Sequence, residues 1–505
     1  MEIKHSRNQT IVLALALLLF IVALVRIGPA NTYTSDNFFK YLQAVSLAKA
    51  HFQSEELYYP GRVFDPELKA FPFRFPYLIE SKGSQIGTYP VMLSAIMAGP
   101  VAYLPAAAIP FICLGFALFT LFLFWKLFQP TAATLTYAAF ATPLVALGME
   151  LSEHPFLLLS SLGGLYFFRR SLSSENLIDP LLAGILSVVG IWLRLEAILY
   201  TVSLLGAWIV VTWRTPRLKG YAMFGAGSGV IICIFLCFNF LHYGHLFGPR
   251  FLGNPGSFDG DLQNHLNRLV SLAFGGKFKL GQFGYSPLLL LPAVYFLFRR
   301  STDELRILAL FVVGFVVAAG ISAPNDGVAN WGSRYLYLSL YPALILLDQF
   351  YREQVQNLSR LRRMAYFALF AYSVLITFIG IVIQKRASSE LKAFQTELNR
   401  TEGDLVIFPS QLLASYSGQY YFKKPLLVVR SPELAIDLIR SISSRGPRRI
   451  SFIEYTGWTA APAAQELEAE FGKDKMPEYL RVLQALEQTG VNRFERITIH
   501  EFKTK

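Results

Sequence analysis

Residues 10–28 read TIVLALALLLFIVALVRIG. A run this apolar is long enough to cross the hydrocarbon core of a bilayer as a helix, which takes roughly 17–25 residues. No small-residue cleavage site follows it, so it reads as a retained span rather than a removed signal. Lys4 and Arg7 precede it, which places the N-terminus in the cytoplasm. The chain then leaves the membrane through Thr34-Ser35-Asp36-Asn37-Phe38-Phe39-Lys40-Tyr41, putting a carboxylate just outside the first span.

Composition extends this reading to the whole chain. Of 505 residues, 53% are hydrophobic, 15% aromatic and only 16% charged, with 43 phenylalanines. Soluble proteins carry nearer a quarter charged residues, so the membrane class is indicated. The net charge of +12 sits in short gaps between apolar runs. That pattern orients spans and argues against nucleic acid as a partner. Cys113, Cys233 and Cys237 all lie in apolar segments and offer neither a disulfide framework nor a CxxC-type metal site.

Apolar runs recur about eleven times, centred near residues 19, 115, 139, 162, 186, 204, 231, 292, 313, 343 and 375. The predicted architecture is therefore a polytopic α-helical membrane protein. Basic residues mark alternate gaps as cytoplasmic: Lys126, Arg169-Arg170, Arg214/Arg217/Lys219, Arg299-Arg300/Arg306 and Arg352/Arg360/Arg362/Arg363. The opposite, exterior side receives the loop 29–104, the gap at Glu150–His154, the turn at Arg194/Glu196, the segments 243–285 and 323–334, and everything after about 386. Two domains follow, a transmembrane domain over 1–386 and an exterior domain over 387–505.

In the first exterior loop, residues 36–52 place Phe38, Phe39, Leu42, Val45, Leu47 and Ala48 near one face at helical spacing, as in a helix lying in the interface. A second such segment runs from Tyr89-Pro90 to Pro100. The tail carries short β-type runs at 405–408, 426–429 and 450–453, helical patterns at 432–444 and 476–489, and a last strand at 494–502. These predict a small α/β domain with a partly parallel sheet and a binding or structural role.

Polar residues that could carry chemistry collect on the exterior side. They are Asp36 and Asn37; Glu150, Glu153 and His154; Arg194 and Glu196; His242, His245 and Arg250; and Asp326 and Arg334 flanking Trp331-Gly332-Ser333. One arginine at a span end is explained by snorkelling. Carboxylates and arginines converging from five loops are better explained by a site, because charge near hydrocarbon is costly. Glycosyl transfer from a polyprenyl-phosphate sugar needs this set. A base takes a proton from the acceptor hydroxyl, and arginines or a divalent cation stabilise the departing phosphate. The planar fork of Arg suits two phosphate oxygens.

These segments resemble membrane glycosyltransferases of the GT-C type, in particular the family 39-like group of protein O-mannosyltransferases and aminoarabinose transferases. SDNFFKYLQA with Asp36 resembles the acidic motif of the first exterior loop. GTYPVMLSAIMAGPVAYL with Tyr89 resembles the Tyr-Pro segment before the second span. ELSEHPFLLL resembles the Glu-His of the second exterior loop, LAFGGKFKLGQFGYSPLLLL a Tyr-Ser-Pro entry to a later span, and Trp331-Gly332-Ser333-Arg334-Tyr335 a Gly-x-Arg-Tyr entry. The likeness covers about residues 8–350. Asn37 stands where many members have a second acid, and Gln282 where Leu is usual.

The resemblance implies an inverting transfer with Asp36 as base and Glu153 positioning the acceptor or a cation. It implies Arg250 and Arg334 on the lipid phosphate, assisted by Arg194, with Glu150, His154, Glu196 and Tyr89 shaping the site. A polyprenyl-phosphate sugar would be the donor, a glycan, lipid or protein the acceptor, and membrane lipids the surroundings. The bacterial-style motifs place it in an inner membrane with a periplasmic C-terminal domain. The rival readings are a transporter or lipid flippase, and a non-catalytic scaffold.

Overall fold

The computed structural model describes residues 7–33, 35–253, 261–276, 279–325, 332–444, 448–455, 483, 486–494 and 497–504. In chain order its helices are α1 (Arg7–Ile27), α2 (Ser35–Lys49), α3 (Val91–Tyr103), α4 (Ile109–Phe128), α5 (Ala132–Phe140), α6 (His154–Ser173), α7 (Ile178–Val188), α8 (Glu196–Val211) and α9 (Leu218–Tyr243). There follow α10 (Gly248–Leu252), α11 (Leu262–Ala273), α12 (Gln282–Tyr285), α13 (Leu290–Phe298), α14 (Asp303–Ser322), α15 (Leu340–Glu353), α16 (Arg360–Leu398), α17 (Gln411–Tyr416) and α18 (Pro432–Ser443). The chain forms two compact units. The first holds residues 1–29, 90–93 and 108–384, and the second holds 30–89, 94–107 and 385–505.

In the first unit, each of the eleven predicted centres falls within a helix. Among the described residues, five helical segments are long and apolar enough to cross a membrane: α1, residues 106–128, α9, α14 and α16. The other six centres lie in α5, α6, α7, α8, α13 and α15, where the expectation of full spans meets shorter or less apolar helices. At 1.5 Å per residue, α5 with its 9 residues reaches about 14 Å, half of a hydrocarbon core. α6 is long enough, but it opens on a histidine and carries Arg169-Arg170 near its C-terminal end.

Small residues set a close helix contact between α7 and α9. A Cβ on Gly184 of α7 would lie 2.1 Å from the Phe224 carbonyl oxygen of α9, and one on Gly227 of α9 would lie 2.4 Å from the Leu181 carbonyl. Only hydrogen at both positions lets the two backbones meet, a packing mode typical of helices in lipid.

Loop-to-loop bonds gather the helix ends into two groups. The Gln9 amide donates to the Pro130 carbonyl at 2.6 Å, and Thr131 N donates to Asp348 Oδ1 at 2.6 Å. Arg169 pairs with Glu304 at 2.9 Å, Arg217 donates to the Ser171 carbonyl at 3.0 Å, and Arg352 to the Gln129 carbonyl at 2.8 Å. These are the gaps that the sequence reading assigns, from their basic residues, to one and the same side. At the other group of ends, Glu153 meets Arg194, Ser286 Oγ donates to the Ala141 carbonyl, and Arg268 donates to the Ala323 carbonyl.

The second unit joins the first loop to the tail, so the division differs from a boundary drawn at residue 386 alone. Its sheet contains β5 (Leu405–Phe408), β6 (Leu426–Val428), β7 (Arg449–Tyr455), β8 (Glu487–Arg493) and β9 (Ile497–Lys503); β1 (Leu78–Ser81) and β2 (Ser84–Gly87) form a separate hairpin, and β3 (Gly275–Gly276) and β4 (Lys279–Leu280) a short one in the first unit. The order is β6-β5-β7-β9-β8; β6, β5 and β7 are parallel, and β9 runs antiparallel to both β7 and β8. The partly parallel sheet and the helix at 432–443 agree with the sequence reading. Residues 476–482 lie outside the described residues. From Glu487 the chain is strand, not helix, because β8 pairs with β9 at the sheet edge.

The first loop is stitched to this sheet. Val428 N donates to the Ala70 carbonyl at 2.9 Å, Arg430 to the Phe71 carbonyl at 2.6 Å, and the Tyr421 hydroxyl to the Tyr58 carbonyl at 2.8 Å. Asp65 is buried and accepts from the Tyr59 hydroxyl and from Lys69 N and Ala70 N. Phe38 and Phe39 of α2 sit in a cluster with Phe73, Tyr77 and Tyr421. α2 is therefore not a helix lying free in the interface. Asn37, Lys40, Gln43 and Ser46 are buried along with its apolar residues, so the chain itself covers it on nearly every side.

Candidate functional site

The predicted site residues divide between the units. Asp36 and Tyr89 belong to the second, and Glu150, Glu153, His154, Arg194, Glu196, Arg250 and Arg334 to the first. Asp326 and Trp331 lie outside the described residues.

In the second unit, Asp36 is half-buried in the first turn of α2. One turn on, Lys40 is buried with its ammonium 5.4 Å from the centre of the Tyr89 ring. The Tyr89 backbone is held from both sides by one side chain. The Gln43 amide donates to the Tyr89 carbonyl at 3.0 Å, and Tyr89 N donates to Gln43 Oε1 at 3.2 Å. α2 thus fixes Tyr89 through Gln43 while carrying Asp36 at its start.

The first unit contains a buried ion cluster. Arg194, 5% exposed, donates from Nη1 to Glu153 Oε1 at 2.8 Å, from Nη2 to Glu196 Oε1 at 2.6 Å and from Nε to Glu196 Oε2 at 3.2 Å. The pairing follows from local structure. Glu153 is the N-cap of α6 but makes no side-chain capping bond, and Pro155 in the first turn has no N–H to offer it. Its carboxylate is thereby available to the turn before α8. Glu196 opens α8, where the helix dipole favours a negative charge. The sequence reading gave Arg194 to a phosphate; in the folded chain three of its nitrogens already serve carboxylates, and it stands between them where a cation would otherwise sit.

Aromatic rings close the cluster. The guanidinium of Arg194 lies 5.1 Å from the centre of the Tyr335 ring and that of Arg334 lies 5.5 Å from it. The Tyr335 hydroxyl donates to Asn325 Oδ1 at 3.0 Å. Beside Glu153, buried His154 bonds through Nδ1 to Ser152 Oγ at 2.6 Å and meets Tyr337 edge-on. Glu150 is half-buried in the same loop. Sequence reasoning missed Tyr335, Tyr337 and Ser152 as parts of this arrangement. It noted Gln282 only as a departure from pattern. That side chain is fully buried, and neither its amide nitrogen nor its oxygen meets a hydrogen-bond partner among the described residues. Such groups are uncommon in folded proteins and mark places where polarity serves something besides packing.

The other side of the same turn faces a cleft. Ile191, Trp192 and Leu195 line it together with Phe235, Phe238, Asn239, Tyr243, Phe247 and Arg250, around a cavity of about 20 Å³, room for about one water molecule. Trp192 meets Phe235 and Phe238 edge-on, both at 5.2 Å. Gly248, at φ +70°, turns the chain against Asn239 so that α10 can present Arg250 to the cleft. The seven residues from Gly190 to Glu196 thus separate an apolar, arginine-bearing cleft from a buried acid–arginine cluster.

Among the described residues, no three His, Cys, Asp or Glu side chains converge where they could hold a metal ion. No protein-family model matches the sequence, and no curated protein is significantly similar to it.

Proposed function

We propose that the chain is an integral-membrane glycosyltransferase that moves a sugar from a polyprenyl-phosphate donor to an acceptor hydroxyl with inversion. The observation that carries this reading is the cleft rimmed by Arg250 and backed, across one turn, by the Glu153–Arg194–Glu196 cluster. A lipid-linked donor is an isoprenoid chain ending in a charged phosphate. The aromatic lining suits the first in chemistry and a guanidinium the second, and the walls must part to admit them, because the cleft as it stands holds only about 20 Å³.

In this reading the acceptor oxygen attacks C1 as its proton passes to the Asp36 carboxylate. The C1–O bond to phosphate breaks on the opposite face, and its electron pair leaves with polyprenyl phosphate. Arg250 and Arg334 bind that phosphate. Glu153 positions the acceptor, and Arg194 holds Glu153 in place. The GT-C resemblance supplies the roles of Asp36 and Glu153; burial and pairing add the role of Arg194.

The same reading takes all eleven helical segments as crossing or entering the bilayer, with the basic ends in the cytoplasm and the tail outside, in a bacterial inner membrane. The gathering of the basic gaps into one group of ends supports it.

The test incubates purified protein, D36N, E153Q and R250A with a panel of polyprenyl-phosphate sugars, with and without chelator, and measures polyprenyl phosphate released. Release that falls about 10²-fold or more in D36N, the loss typical of removing a general base, supports the reading. Equal release by wild type and D36N removes Asp36 from the mechanism. No release with any donor or acceptor from folded protein would turn the buried cluster toward a transporter's coupling site.

A further inference from the structure

α11 divides its surface three ways. One arc holds the protein: His265 Nδ1 donates to the Ile321 carbonyl at 2.7 Å, and Arg268 Nη1 donates to the Ala323 carbonyl at 2.8 Å. These carbonyls belong to the last turn of α14 and the residue after it, where a helix lacks partners of its own. Leu269 and the buried Leu272 lie on the same arc, and a Cβ on Gly320 would come within 2.4 Å of Leu269. α11 is thus clamped across the C-terminal end of α14.

A second arc, carrying Asn264 and Asn267, is exposed and polar, and the exposed Gln263 falls at the C-terminal margin of the next arc, between Val270 and Phe274. The third is exposed and apolar. Leu262, Leu266, Val270 and Phe274 recur every four residues and are 67%, 40%, 55% and 54% exposed. A helix facing only protein and water has two arcs, apolar inward and polar outward. A separate outward apolar arc beside a polar one needs a third medium.

We infer that α11 lies in the membrane interface, with Leu262, Leu266, Val270 and Phe274 in the lipid of the leaflet opposite the basic ends. The placement favours lipid over a protein partner. α14 is apolar enough to span, its last turn is where a spanning helix leaves hydrocarbon, and Val317, one turn before the Ile321 carbonyl that holds His265, is exposed. Interfacial helices bury such a face at the headgroup–acyl boundary. The inference rests on α14 being a span and not on the transferase reading.

The test introduces single cysteines into a C113A/C233S/C237S background of the full chain, at L266C, V270C, N264C and N267C, with V230C on α9 as a lipid-facing control. Each is labelled with an environment-sensitive fluorophore and reconstituted into phosphatidylcholine–phosphatidylglycerol vesicles. We expect the labels at 266, 270 and 230 to be quenched several-fold more by brominated lipid than by iodide, and those at 264 and 267 to show the reverse. Iodide quenching at 266 and 270 equal to that at 264 and 267 would overturn the inference by showing the face in water. Protection from both quenchers would overturn it by showing the face covered by protein. A control at 230 that brominated lipid leaves bright would remove the bilayer from this unit altogether.

Discussion

At the scale of single residues, Arg194 decides most. It is one buried cation between two carboxylates, so losing it leaves negative charge in a poorly solvated place. R194M is expected to destabilise the protein by about 3–5 kcal/mol, the usual result of stranding a buried charge. The check is thermal unfolding of the purified protein in detergent. The triple variant R194M/E153Q/E196Q should regain a large part of that loss, because coupled groups are not additive. If R194M alone unfolds no more easily than the triple variant, the cluster does not hold the turn.

Tyr420 gives a pH prediction. Burial raises its phenol from 10.0 to about 12, opposed by its bond with Thr401. The folded form holds the proton more tightly than the unfolded form. The associated stability is complete below about pH 10 and lost as pH rises through about 12. The stability of the full chain, followed by circular dichroism, should fall across that window, and less steeply in Y420F. A Y420F profile matching wild type would assign the alkaline loss elsewhere.

Legibility at this scale follows distance along the chain. Arg194 and Glu196 are two residues apart and could be read together. Glu153 lies 41 positions from Arg194, and nothing in either neighbourhood announces the partner. An arginine at a span end looks the same whether it waits for a phosphate or already holds an acid.

At the scale of elements, the closest approach of α7 to α9 makes a sharp prediction. G184L would drive a side chain into the backbone of Phe224, so the helices must separate. The expected cost is about 1–3 kcal/mol, as for other overpacked cores, read again by thermal unfolding. G99L, where an added Cβ meets nothing within 4 Å, should cost no more than the loss of a glycine allows. Equal effects would show that the contact is not tight.

Elements whose pattern reflects their own burial were readable, including the helix at each apolar centre and the strands β5, β6, β7 and β9. β8 was not, because almost every one of its residues is exposed and its sequence carries no alternation. α2 was misread for the opposite reason. Its apolar residues look amphipathic, but its polar residues are buried too, and only the fold reveals what covers them.

At the scale of the whole molecule, the two groups of helix ends in the first unit predict topology. S174C, in the gap between α6 and α7, should resist an impermeant maleimide in intact cells and react after permeabilisation. N264C should react in both. Labelling of S174C in intact cells would invert the orientation. The separation of basic gaps from apolar runs was legible because charge avoids apolar helices and collects between them. The grouping of residues 30–89 with the tail was not. A composition change near residue 386 marks where lipid-facing sequence stops, and carries no sign of which earlier segment the new one will meet.

That grouping bears on how the protein is made. Tyr89 and Lys385, the nearest ends of the two main parts of the second unit, are 296 positions apart (385 − 89). At a synthesis rate of about 5–20 residues per second, the ribosome needs roughly 15–60 s to cover that interval. Throughout it, Phe38, Phe39 and Phe73 have emerged while Tyr421, their eventual neighbour, does not yet exist. The nascent chain therefore carries an unfinished aromatic surface through most of its own translation. A message cut short before the tail would yield a polypeptide that inserts but stays adhesive, a substrate for chaperones and quality-control proteases rather than a smaller working protein.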